Sequence, residues 1–244
     1  MDREGKLVAA AAAGADAGRL RDRLAEIESE QAALEAELAA FDADYVRQVV
    51  TVMAQFHEAE ARLLRLVAER SGAAGDARAA DEARARARET TAEVRAVPAP
   101  APPVPTGEIK KLFRDAAKRM HPDLAPDDDA RVHAEAFMKR LNHAYRAGDA
   151  EAIADLLRQW EASPFAADPS VSPDARRVTA LGAAVARAER RLAEVRESDL
   201  AQLMERAMAA AVEGRDLLAE LRADAVAALA AARARLASLE AAES

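Results

Sequence analysis

The chain has 244 residues, 51% hydrophobic and 32% charged, with only 3% aromatic and no cysteine. Without cysteine there are no disulfides, zinc–thiolate sites or thiol catalysis, and a formal net charge of -8 opposes general binding to nucleic acid or anionic membrane, which needs positive potential over a broad face. Ala, Glu, Arg and Leu dominate, a composition of long helices, so the expected fold is all-α: long coiled-coil helices flanking a small helical hairpin domain.

Residues 1–17 read as a flexible N-terminus. Asp2, Arg3, Glu4 and Lys6 precede a weak alanine run, Leu7 to Ala13, too mixed in charge and too weakly hydrophobic for a signal peptide. No stretch approaches the apolar run of about 18 residues that a membrane helix needs, so a soluble, cytoplasmic protein is expected, with no membrane partner. From Leu20 a heptad is plain. Leu20, Leu24, Ile27, Gln31, Leu34, Leu38, Phe41 and Tyr45 alternate in steps of four and three, the a/d seam of a coiled coil. Past Tyr45 the phase slips while Val49, Val52, Phe56, Leu63 and Val67 continue an apolar face; such a slip changes supercoiling without ending a helix. Ser71-Gly72 stops it. The spacing thus predicts an N-terminal coiled-coil helix over 18–71, about 80 Å long at 1.5 Å per residue, which needs a partner helix. Residues 72–106 read as a polar and Pro-rich linker. Ala79 to Val94 is helical by propensity, with nothing that demands packing. Pro98 to Pro105, PAPAPPVP, is a stiff spacer.

Residues 107–163 carry the most information. Leu112, Phe113, Ala116, Ala117 and Met120 form one apolar stripe, and Lys110, Lys111, Arg114, Lys118 and Arg119 cover most of the remaining surface. His121-Pro122-Asp123 ends this helix, because proline cannot continue the hydrogen-bond ladder. A second helix is predicted from about Asp129, with Phe137, Leu141 and Tyr145 at i, i+4, i+8 facing Phe113, Ala117 and Met120. Gly148 is placed to cap it and Asp149 to cap the next, whose apolar face is Ile153, Leu156, Leu157 and Trp160. Ser163 to Pro173 reads as a loop. Residues 174–240 are predicted as a C-terminal helical hairpin. Val178, Leu181, Val185, Ala188, Leu192 and Val195 form one helix, Glu197-Ser198-Asp199 a turn, and Leu200 to Leu239 the last helix, with a kink or break at Gly214. The two helices are expected to pair antiparallel, with the N-terminal rod as an open further partner, and an intramolecular bundle and a homodimer both fit these seams.

A basic helix ending in HPD, a short loop, then a helix carrying F…LNHAY resembles a J domain, the module of DnaJ-type co-chaperones. The likeness covers Glu108 to about Arg146. More loosely, the layout of coiled coil, HPD hairpin and further coiled coil resembles bacterial J-domain-containing proteins. The resemblance implies a protein that stimulates ATP hydrolysis by an Hsp70 (DnaK-type) chaperone, with the coiled coils serving oligomerisation, client or scaffold. It implies an Hsp70-binding set of His121, Pro122, Asp123, Lys110, Lys111, Phe113, Arg114, Lys118 and Arg119. Asp123 would offer its carboxylate to an arginine, Pro122 would stiffen the turn, and the cations would steer it to an acidic face.

Other chemistry is not indicated. Asp127, Asp128 and Asp129 lack EF-hand spacing and read as helix caps. His57, His121, His133 and His143 form no metal-binding pattern, and neither a phosphate loop nor a nucleophile elbow is present, so no catalytic residue, metal or cofactor is expected and the chain is not expected to be an enzyme. A second reading stays open: a structural coiled-coil interaction protein with a degenerate J-like module that does not act on Hsp70. It rests on Asp115 within the basic helix and on the proline stretch where J domains carry their first helix.

Overall fold

The structure, a computed structural model, describes residues 3–96, 105–125, 127–163, 165 and 175–241, with the side chains of 3–13 and 175–177 left aside. The described residues are helical throughout, with no strand among them. They divide into two compact units, residues 1–38 with 102–201, and residues 39–101 with 202–244.

The first unit is built from the early part of α1 (Arg3–Tyr45) with α4 (Gly107–Met120), a 3-10 turn (Pro122–Leu124), α5 (Asp128–Arg146), α6 (Ala150–Glu161) and α7 (Ala175–Arg196). Its main core joins α4, α5 and α6. Phe113, Met120, Leu141, Tyr145 and Ile153 are essentially sealed, with Phe137, Leu156 and Trp160 closing the edges. The Phe113 and Tyr145 rings meet at 4.7 Å, and the Trp160 ring sits edge-on to Phe137 at 5.4 Å, close to favoured aromatic geometries. Trp160 therefore docks α6, as its spacing predicts. Ala32 and Ala33 of α1 join the same core, small enough for α1 to lie close.

The caps follow the sequence. The Asp127 carboxylate accepts from the Ala130 N–H at 2.8 Å, so α5 is capped at Asp127 and starts at Asp128, one residue before the expected Asp129. Gly148 adopts φ +67°, where a side chain would be strained, and the chain turns there into the Asp149 cap of α6.

The N-terminal expectation is corrected. Helix α1 already begins at Arg3 rather than emerging from a flexible 1–17 segment, and Ala17 is fully buried against Leu124 and Leu181. The seam Leu24 and Ile27 is covered by Ala184, Val185, Ala188 and Leu192 of α7. The apolar face of α7 is thus taken by α1, not by the last helix as the predicted C-terminal hairpin requires. Alanines at 184 and 188 allow the close approach that makes α1 its partner.

The second unit holds the end of α1, a π-helical segment (Val46–Val50), α2 (Thr51–Ser71), α3 (Ala74–Ala96), most of α8 (Asp199–Val212), and α9 (Leu217–Ala241). The phase slip past Tyr45 is this π segment. The Thr51 hydroxyl donates to the Val46 carbonyl at 2.9 Å, within a ladder that has taken one extra residue. Gly72 ends α2, donating to the Ala68 carbonyl at 3.0 Å. Residues 74–96 are then not linker but a packed helix. Ala83, Ala87 and Thr90 of α3 are buried, and Thr90 shares a 2.8 Å hydrogen bond with His57 of α2. Most of the proline stretch, 98–104, lies outside the described residues. Ser198 caps α8, Gly214 (φ +76°) breaks the helical run as expected, and α9, whose Leu229, Ala232 and Leu236 are buried, packs on α2, with an Arg62–Glu240 pair at 2.6 Å between them.

No described helix is long and apolar enough to cross a membrane.

Candidate functional site

The His-Pro-Asp turn lies in the first unit, at the C-terminus of α4. Helix α4 ends because Pro122 follows His121, which takes an extended conformation (φ −67°, ψ 133°). Residues 122–124 then wind one 3-10 turn, closed by the Leu124 N–H donating to the His121 carbonyl at 2.9 Å. The Asp123 N–H donates to Nδ1 of His121 at 3.1 Å, so the ring folds back over its own turn.

The turn is partly covered: Pro122 and Asp123 are half-buried, the Asp123 side chain 28% exposed. His121 is only 6% exposed. Its Nε2 faces Oε1 of Glu28 on α1 at 3.5 Å, and the same carboxylate oxygen accepts from Arg191 of α7 at 2.7 Å. Oδ2 of Asp123 accepts from Arg187 of α7 at 2.9 Å. Leu124 is buried with Ala17 and Leu181. Helices α1 and α7 therefore grip the turn from two sides. Arg187 and Arg191 stand one helical turn apart, which places both guanidinium groups on one face.

The predicted cations divide. Lys118 pairs with Asp22 of α1, and Arg119 pairs with Glu161 of α6. Lys110 and Arg114 line a groove of about 450 Å³ opposite Glu26, Glu30 and Glu37 of α1, with Arg196 beside them. Lys111 is exposed. Phe113 is fully buried against Tyr145, so it belongs to the core and supports the surface without forming part of it. Pro122 is half-buried at the turn's edge. The structure brings His121, Pro122, Asp123 and Lys118 together under α1 and α7, with Lys110 and Arg114 further along the same α1 flank. Lys111 and Arg119 stand apart from that contact.

Glu28 is the residue that the sequence reading missed. Burial opposes its ionisation, but the hydrogen bond and charge of His121, and then the charge and hydrogen bond of Arg191, outweigh it and hold the carboxyl below its ordinary 4.5. A carboxyl that ionises more readily folded than unfolded contributes stability above the unfolded value. That contribution is lost as pH falls through the lower folded value. Unfolding by urea, followed by fluorescence of Trp160, is therefore expected to show stability falling as pH drops below 4.5. In Glu28→Gln part of that acid dependence disappears; an unchanged pH profile in the variant would contradict this role.

Among the described residues no group of three His, Asp or Glu side chains is arranged to hold a metal ion. His143, on the other side of the pair, is exposed, and His133 lies among Phe137, Trp160 and Phe165. Compared with family models, with curated proteins and with solved structures, the chain matches none.

Proposed function

We propose that the chain is a J-like co-chaperone: a helical pair presenting His121-Pro122-Asp123 that stimulates ATP hydrolysis by a DnaK-type Hsp70. The observation that carries this reading is the stiff turn at the end of a basic helix, with a carboxylate whose bonding partner is an arginine. Arginine–carboxylate pairing is the strong, directional contact such docking would use. Lys118 beside the turn and Lys110 and Arg114 along α4 supply the steering charge. The hydrolytic chemistry belongs to the partner, so the chain itself is no enzyme. The long helices act as coiled-coil arms that hold a client, a scaffold or a second copy, and the protein works in the cytoplasm.

A second reading has its own support. The same ion pairs to Asp22, Glu28 and Arg187 would be permanent packing contacts in a structural coiled-coil protein whose J-like module no longer recruits Hsp70. Steady-state ATP turnover by a DnaK-type Hsp70 separates the two. Saturating chain is expected to accelerate it and His121→Gln to remove the effect; equal, negligible rates from both would contradict the co-chaperone reading.

A further inference from the structure

We infer that α1 and α7 form an internal stand-in for the chaperone's docking surface, so that the turn is held either by its own helices or by the partner, never by both. This rests on the co-chaperone reading and adds its regulation.

The argument is one of matched chemistry. On the co-chaperone reading a partner would bring an arginine to Asp123, and Arg187 already supplies one at 2.9 Å. Docking requires the imidazole to be reachable, yet its Nδ1 accepts from the Asp123 N–H and its Nε2 faces Glu28. On the same reading the basic helix would meet an acidic surface; Asp22 of α1 already pairs with Lys118, and Glu26, Glu30 and Glu37 line one groove with Lys110 and Arg114, although Glu30 pairs with Arg196. The groups that meet Asp123 and His121 in cis come from helices 64 and 93 residues away in sequence. Two ligands that need one set of groups exclude each other, and their affinities are linked through that exclusion.

The two halves of the stand-in differ in how they can leave. Helix α1 shares Ala32 and Ala33 with the core of α4, α5 and α6. Helix α7 has no residue in that core; it is held by its own seam of Ala184, Val185, Ala188 and Leu192 on Leu24 and Ile27, and by Leu181. Detachment of α7 uncovers Asp123 and frees Glu28 from Arg191 without opening the helical pair that carries the turn. Helix α7 is thus the removable cover.

The test displaces α7 and reads the partner. Ala188 is completely buried in the seam, so Ala188→Asp sets an unpaired carboxylate between α1 and α7. With a DnaK-type Hsp70 and ATP, this variant is expected to stimulate steady-state turnover at least about fivefold more than the wild type, the lower end of a usual coupling factor. Adding His121→Gln should abolish the gain. Hydrogen exchange on the same sample shows whether α7 has left and α4 to α6 remain protected. If they do not remain so, Arg187→Ala with Arg191→Ala, which spares the seam, takes its place with a smaller rise expected. Wild type and released variant stimulating equally would overturn the stand-in while leaving the co-chaperone reading intact. No stimulation from any form, with α7 displaced, would overturn both.

Discussion

Phe113→Ala is expected to destabilise the first unit by about 3–5 kcal/mol, the usual range for deleting a sealed aromatic side chain. Phe113 has no exposed surface, and its ring lies 4.7 Å from that of Tyr145. Deletion removes that ring contact and leaves a cavity between α4 and α5. The surrounding alanines, Ala116, Ala117 and Ala144, are too short to fill it. The consequence reaches function, because α4 sets the position of the turn at its C-terminus. Urea unfolding monitored by Trp160, the only tryptophan in the chain, reports this unit specifically. A loss below about 1 kcal/mol would mean that the pocket collapses onto itself or that Phe113 is not a core residue.

Ala83→Asp is expected to separate α3 from α2 in the second unit. Ala83 is fully buried, and its helix α3 packs on α2. Moving a carboxylate into a buried site carries a desolvation cost of several kcal/mol, and the Ala83–Ala87–Thr90 contact is made of small side chains. Proteolysis is the simplest measurement: the wild-type α3 should resist trypsin despite Arg78, Arg84, Arg86, Arg88 and Arg95, and the variant should be cut there rapidly. Equal cutting in both would return this segment to the linker that its composition suggests.

Those two residues also show where sequence could be read. Phe113 was legible as core because large apolar groups recur at helical spacing and face Phe137, Leu141 and Tyr145 at i, i+4, i+8 on α5. The turn itself was legible from Pro122; the slip past Tyr45 was legible as a change of phase, though not as the π segment found at Val46–Val50. Helix α3 was not legible as packed, because its contact face is alanine and threonine, which leave hardly any hydrophobic contrast along the sequence. The closure of the turn was hidden for a different reason. Asp22, Glu28, Arg187 and Arg191 look locally like charges on solvated helix faces, and nothing in local periodicity says that helices so far apart in the chain will meet. One signal was available: the acids at 22, 26, 30 and 37 keep helical spacing along one flank of α1 and complement the basic face of α4.

The energetics explain why α7 can be a cover without being weakly placed. The α7 ion pairs Arg187–Asp123 and Arg196–Glu30 are part-exposed, and contacts of that kind are worth about 0–1 kcal/mol each. Burial of Leu24, Ile27, Leu181 and Leu192 supplies the larger share, at about 1.5–3 kcal/mol for each side chain removed from water. The charges select where α7 sits, and the seam decides whether it stays.

Hydrogen exchange at the backbone amides of Asp123 and Leu124 tests the covered turn most directly. In the wild type both amides should be slow to exchange, held by His121 Nδ1 and the His121 carbonyl while α1 and α7 lie over them. In Ala188→Asp they should exchange markedly faster while amides within α4 and α5 keep their protection. Fast exchange at both positions in the wild type, or rates unchanged when α7 is displaced, would show that the long helices do not hold the turn.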